Sequence, residues 1–99
     1  MAAKKVKSAR KLERHFKGVA NHRRIDILLF VARHPDATLD DIIEKFDGNQ
    51  KTYSEHTRRL VGSGLIEKSY AGRNVRHNLT PYGKIFAEFI STFANIASE

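Results

Sequence analysis

The chain has 99 residues, 40% of them apolar and none of them cysteine, so it can bury one modest core and forms neither disulfides nor a cysteine-ligated zinc site. Its formal charge of +7 is divided unevenly, with +8 over residues 1–24, −4 over 25–50, +4 over 51–80 and −1 over 81–99. A diffuse excess would only aid solubility, but this segregation directs a polyanion to the N-terminus and to residues 51–80. No apolar run is long enough for a signal-peptide core or a membrane span, which leads to the expectation of a soluble cytoplasmic protein, nucleoid-associated through its charge and without a membrane partner.

Residues 1–7 read as a mobile basic arm and residues 8–99 as a single domain. Lys4, Lys5, Lys7, Arg10, Lys11 and Arg14 supply the charge of the arm and its surroundings. Ser8 suits the N-cap of a first short helix in which Leu12 and Phe16 share a face, with Gly18 as its stop. Asn21 suits the cap of a second, central helix whose buried stripe is expected at Ile25, Leu28, Leu29 and Ala32; it ends before Pro35. Thr38 and Asp41 have the spacing of a capping box, and Leu39, Ile42, Ile43 and Phe46 give the short helix behind them an apolar face. "DGN" breaks that helix, Asn49 caps the next one, from about Gln50 to Val61, and Gly62 and Gly64 end it; two short helices about a tight turn make a helix-turn-helix.

From Leu65 the apolar period shortens to two on either side of "AGRN", which predicts a hairpin over residues 66–79. Thr80 and Pro81 then open a last helix over 81–97 carrying Tyr82, Ile85, Phe86, Phe89, Ile90, Phe93 and Ile96. The fold class is mainly α with a small β-hairpin wing, in the order α-α-α-α-β-β-α.

A helix that enters the major groove needs an apolar side held by its domain and an opposite side of short or cationic groups. In the helix over 50–61, Tyr53, Thr57, Leu60 and Val61 fall on one side, and Lys51, Thr52, Ser54, Glu55, Arg58 and Arg59 on the other. Lys51, Thr52, Ser54 and Glu55 are candidates for base readout, Arg58 for a base or a phosphate, and Gln50 for a phosphate near the helix start. Any solvated amphipathic helix has a charged face, so the setting decides: this one lies in a helix-turn-helix ahead of a hairpin whose Arg73 and Arg76 suit phosphates or the minor groove.

The stretches "ANHRRIDILLFV", "TLDDIIEKF", "NQKTYSEHTRRLVGSGLIEK" and "GRNVRHNLTPYG" together resemble the winged helix-turn-helix transcriptional regulators, most closely the ArsR-like branch and more distantly the MarR-like and PadR-like ones, from about Ala20 to Gly83. Gln50, Thr52, Ser54, His56, Leu60, Gly64 and Leu65 stand where that pattern expects them. The resemblance implies a repressor that pairs through its terminal helices as a homodimer and sets two recognition helices in successive major grooves of a roughly palindromic operator. The last helix supports pairing independently, since Phe86, Phe89, Phe93 and Ile96, with Ile90 beside them, recur at spacings of three and four. Covering its own core is the competing use of that stripe, and both uses are expected.

The chain departs from the pattern at Thr57 and Arg59, where aliphatic residues are expected, and at His22, where proline is. It lacks the cysteine pair and C-terminal histidine of metal-sensing members. His15, His22, His34, His56 and His77 lie at no ligand spacing and read as surface or interface groups, with His22 and Asp26 able to meet and His56 suited to a phosphate or to packing beside the turn. No catalytic constellation, metal site or cofactor is expected, and no small-molecule effector is specified. The rival readings are an architectural, weakly sequence-specific chromatin protein and a winged-helix protein-interaction module.

Overall fold

The computed structural model describes residues 6–96. Its elements are α1 (Ala9–Val19), α2 (His22–Arg33), α3 (Leu39–Phe46), α4 (Gln50–Gly62), β1 (Ile66–Ala71), β2 (Asn74–Leu79) and α5 (Pro81–Ala94), the order expected from the sequence. Ser8, Asn21, Thr38, Asn49 and Thr80 each accept a first-turn backbone N–H at the start of their helix. The Thr38–Asp41 capping box closes in both directions, and Asp47 ends α3 in the left-handed conformation with φ +50°. No helix among the described residues is long and apolar enough to cross a membrane.

The core centres on α2. Ile27, Leu28 and Val31 are fully buried against Ile42, Leu60, Leu65 and Ile66. The stripe expected at Ile25, Leu28, Leu29 and Ala32 is therefore rotated: Ile25 and Leu29 are half-buried and Ala32 is exposed. Because α1, α4, β2 and α5 all pack on α2, its neighbours fix the buried arc rather than one apolar line. Helix α1 differs more. Leu12 and Phe16 face outward, and the buried residues are His15, Gly18 and Val19. Gly18 does not stop the helix; it sits inside, where a Cβ would overlap the Ser63 side chain, so it sets how closely α1 approaches the end of α4.

Two of the five histidines are buried, contrary to the expectation of surface groups. His15 donates Nδ1–H to the Ser63 carbonyl at 2.6 Å and stacks on Tyr82. His77 donates both its backbone N–H and Nδ1–H to the Ala37 carbonyl, each at 2.8 Å, stitching the α2–α3 connection to β2. Each partner is a carbonyl some forty or more residues away in sequence, which spacing within a helix cannot reveal. Among the described residues His22 and Asp26 form no ion pair.

The strands pair antiparallel from Ile66↔Leu79 to Ala71↔Asn74 around a two-residue turn, with positive φ at Gly72 only. The chain then enters α5 in close contact with the start of the hairpin: Thr80 Oγ1 donates to the Gly64 carbonyl at 2.6 Å, and a Cβ at Gly83 would overlap the Leu65 carbonyl. Helix α5 ends at Ala94, short of the expected 97, and residue 97 lies outside the described residues. Lys4 and Lys5 also lie outside them, whereas Arg10, Lys11 and Arg14 belong to α1 rather than to an arm. Lys7 rests over the Tyr82 ring, 4.7 Å from its centre.

Candidate nucleic-acid interface

Helix α4 is held from below by Tyr53, Thr57 and Leu60, all buried. The α3–α4 turn passes directly under Tyr53, since a Cβ on Gly48 would overlap its ring. Phe46 stacks on that ring at 6.0 Å, and Arg23 Nη1 donates to its hydroxyl at 3.2 Å. Thr57, the polar residue at an expected apolar position, donates its hydroxyl to the Tyr53 carbonyl one turn back at 2.7 Å, so no donor is left unpaired. Arg59, the second departure, is not a packing residue at all: it is exposed.

Above this seat, Gln50, Lys51, Thr52 and Ser54 are exposed on the first turns. Glu55 pairs along the helix surface. It receives Arg58 Nε at 3.0 Å and Arg58 Nη2 at 2.7 Å, and Arg59 Nε at 3.3 Å. The hydrogen bond from Arg58 lowers the Glu55 pKa, and the same bond raises that of Arg58, so both stay charged at neutral pH. Glu55 thus orients two cations. His56 is half-buried beside Arg24, whose Nη1 lies 3.2 Å from Nδ1 while its Nε donates to the Gly18 carbonyl at 2.7 Å. Burial, then the neighbouring Arg24, Arg23 and Arg59, lowers the His56 pKa, which keeps the ring neutral with Nδ1 as the acceptor. This packing beside the turn is one of the two roles expected of it.

The hairpin continues the charged surface. Arg73 occupies the turn, Arg76 pairs across from Ser69, and Lys68 from His77. Tyr70, across from Val75, is 74% exposed. Its outward position, like the packing of Arg23 and Arg24 against α4, was not singled out from the sequence; for the arginines, the available signal was their pairing in the first turn of the helix that Asn21 caps.

Helices α1 and α5 expose a group of large apolar side chains. Phe89, Phe93 and Ile96 are exposed, whereas Phe86 and Ile90 are half-buried against the core. Ile85 and Tyr82 join them from α5, and Leu12 and Phe16 from α1, with Phe16 edge-on to Phe86 at 5.0 Å. Large apolar groups gathered in this way on one side of a small domain mark an interaction surface.

A helix-turn-helix whose second helix is seated on the core with a polar outer face, followed at once by a basic hairpin and a closing helix, is a winged helix-turn-helix domain. Residues 21–83 match the family model of the winged helix DNA-binding domain, and the chain belongs to that family. Among solved structures, the homodimeric winged helix-turn-helix DNA-binding domain of Mb0332 from Mycobacterium bovis, a possible ArsR-family transcriptional regulator, has a TM-score of 0.82 at 22% identity, over 100% of this chain and 94% of that one. Reduced HlyU from Vibrio cholerae N16961 has a TM-score of 0.78 at 20% identity, over 89% and 93% of the two chains. FabT from Streptococcus pneumoniae, solved in complex with DNA, has a TM-score of 0.69 at 15% identity, over 84% of this chain and 64% of FabT. At these identities the likeness establishes the fold. No curated protein sequence matches the chain.

Proposed function

We propose that the protein is a sequence-specific transcriptional regulator, acting as a repressor, that binds double-stranded DNA as a homodimer. The observation that carries this reading is the seating of α4: Tyr53, Thr57 and Leu60 fix it to the core while Lys51, Thr52 and Ser54 stand clear on its first turns. Such a helix enters the major groove N-terminus first, with Gln50 at a phosphate, and the hairpin brings Arg73 and Arg76 to the backbone or minor groove. Arg58 and Arg59, aligned by Glu55, follow on the same helix. His56, half-buried on the same helix, is the remaining candidate contact.

The exposed apolar side of α1 and α5 supports pairing of two copies through Phe89, Phe93 and Ile96, with Phe86 and Ile90 at the edge of the domain core. That Mb0332 is homodimeric and that FabT was solved on DNA are in keeping with both parts of the proposal. Selection from random-sequence DNA tests it. A pseudo-palindromic motif is expected; a flat sequence profile would instead assign an architectural DNA-binding role, and absence of DNA binding at near-physiological salt a protein-interaction module.

A further inference from the structure

Arg14 and Lys17 of α1 play no part in the recognition surface described so far. They line, with Arg58, Arg59, Gly62 and Ser63, a cleft of about 380 Å³ between α1 and the second half of α4. No carboxylate is among these lining residues; Glu13, 3.3 Å from Lys17, and Glu55, which holds Arg58 and Arg59, pair with three of the cations. Four cations thus line the cleft, and the ion pairs that three of them make are solvent-exposed, so an entering anion meets little competition from them.

The cleft is built by close packing. Gly18, one residue before the end of α1, lets the helix settle against Ser63, whose side chain any Cβ at this position would overlap. The buried bond from His15 to the Ser63 carbonyl fastens the same contact. The spacing between the cations of α1 and those of α4 is therefore set by the core. At Gly62, by contrast, a Cβ would meet nothing within 4 Å, and the floor of the cleft stays open.

A helix seated N-terminus first in the major groove carries its later turns to the groove wall, which is sugar–phosphate backbone. We infer that the α1–α4 cleft binds a phosphodiester of the DNA backbone, making α1 a third DNA-contacting element beside α4 and the hairpin. The inference rests on the DNA-binding reading above. A phosphate here contributes affinity without sequence information, because backbone contacts position the protein and do not discriminate bases.

The test is a salt titration of DNA binding by the full chain and four variants, with folding checked by circular dichroism. Arg14→Gln/Lys17→Gln should lower the slope of log affinity against log salt by about 1 to 2, and weaken selected and random duplexes alike. Gly62→Asp should bind about 10-fold or more weakly than Gly62→Asn, which is nearly identical in shape and differs only in charge. Arg33→Gln, at the far end of α2, controls for overall charge and should leave the slope unchanged. An unaltered slope in the double variant, or equal binding by the Asn and Asp variants, overturns the inference while leaving the DNA-binding reading intact. Wild type that binds no DNA overturns both. Calorimetric titration with inorganic phosphate separates the sources: phosphate binding that Arg14→Gln/Lys17→Gln abolishes, with the DNA slope unchanged, would assign the cleft to a free anion and contradict its role on DNA.

Discussion

Along α4 the exposed positions include Gln50, Lys51, Thr52, Ser54, Arg58 and Arg59, whereas α1 and α5 expose, among their charged residues, the large apolar side chains Leu12, Phe16, Tyr82, Ile85, Phe89 and Phe93. Water satisfies the first set, which gains from a polyanion mainly by releasing that partner's counterions. Water does not satisfy the second set, whose association is driven by removing apolar area at about 25 cal/mol per Å². The two sides must therefore respond oppositely to salt. DNA binding should weaken steeply as ionic strength rises, while pairing through the aromatic side should hold or strengthen.

The largest effect is expected from breaking the apolar side. Phe16→Glu/Phe89→Glu should give a monomer by light scattering, with circular dichroism unchanged because both residues are exposed in the single chain. Loss of the second half of a bivalent contact should then reduce affinity for a palindromic duplex by about 100-fold or more, though no residue of α4 has changed. A double variant that stays dimeric would show that other surfaces pair the copies.

Gly83→Ala addresses how the two sides are joined, since the added methyl would overlap the Leu65 carbonyl at the root of the hairpin. Thermal or urea unfolding should report a loss of about 3 kcal/mol. On the charged side, Arg58→Ala and Arg73→Ala should each lower affinity about 10-fold and the salt slope by about 1, without altering the dimer. Wild-type binding by the Arg58→Ala/Arg73→Ala protein across the salt series would remove both residues from the interface.

The smallest expected effect concerns pH. Burial lowers the His77 pKa, against the opposing influence of its bond to the Ala37 carbonyl, and burial followed by nearby arginines lowers that of His56. The folded state thus disfavours both imidazolium forms. The stability they contribute is complete above the unfolded-state value of about 6.5 and falls as pH drops below it toward the depressed folded values. His77→Gln should flatten that acid limb in chemical denaturation; an unchanged limb would exclude His77 as a source.

Much of the fold was legible because its signals are local. Ser8, Asn21, Thr38, Asn49 and Thr80 cap the helices they precede, and Gly72 turns the hairpin, each through contacts within a few residues. The outward positions Lys51, Thr52, Ser54, Arg58 and Arg59 were legible for the same reason, from helical spacing alone. What spacing could not supply was the direction a helix faces once several neighbours compete for it. Leu12 and Phe16 turn outward because His15 and Gly18 take the inner side of α1. The cluster of cations around α4 was hidden for a related reason: Arg14 and Lys17 reach it through the α1–α4 packing at Gly18 and Ser63, and Arg24 reaches it from α2 beside His56. Glu55 shows a milder limit, as its pairing with Arg58 and Arg59 at three and four residues was readable in principle, yet its place among groove-facing residues suggested base readout instead.

Affinity as a function of half-site spacing tests the central claim, that paired copies present two α4 helices to one face of DNA, most directly. Duplexes carrying the selected half-site twice, with centres one helical turn apart (about 10 base pairs) or shifted by about a further half turn, would be compared by fluorescence anisotropy at fixed salt. Tight binding of one dimer is expected at the full-turn spacing, with a fall toward random-sequence affinity at the shifted spacing. Equal affinity at both spacings, or one equal to that for random DNA, would contradict it.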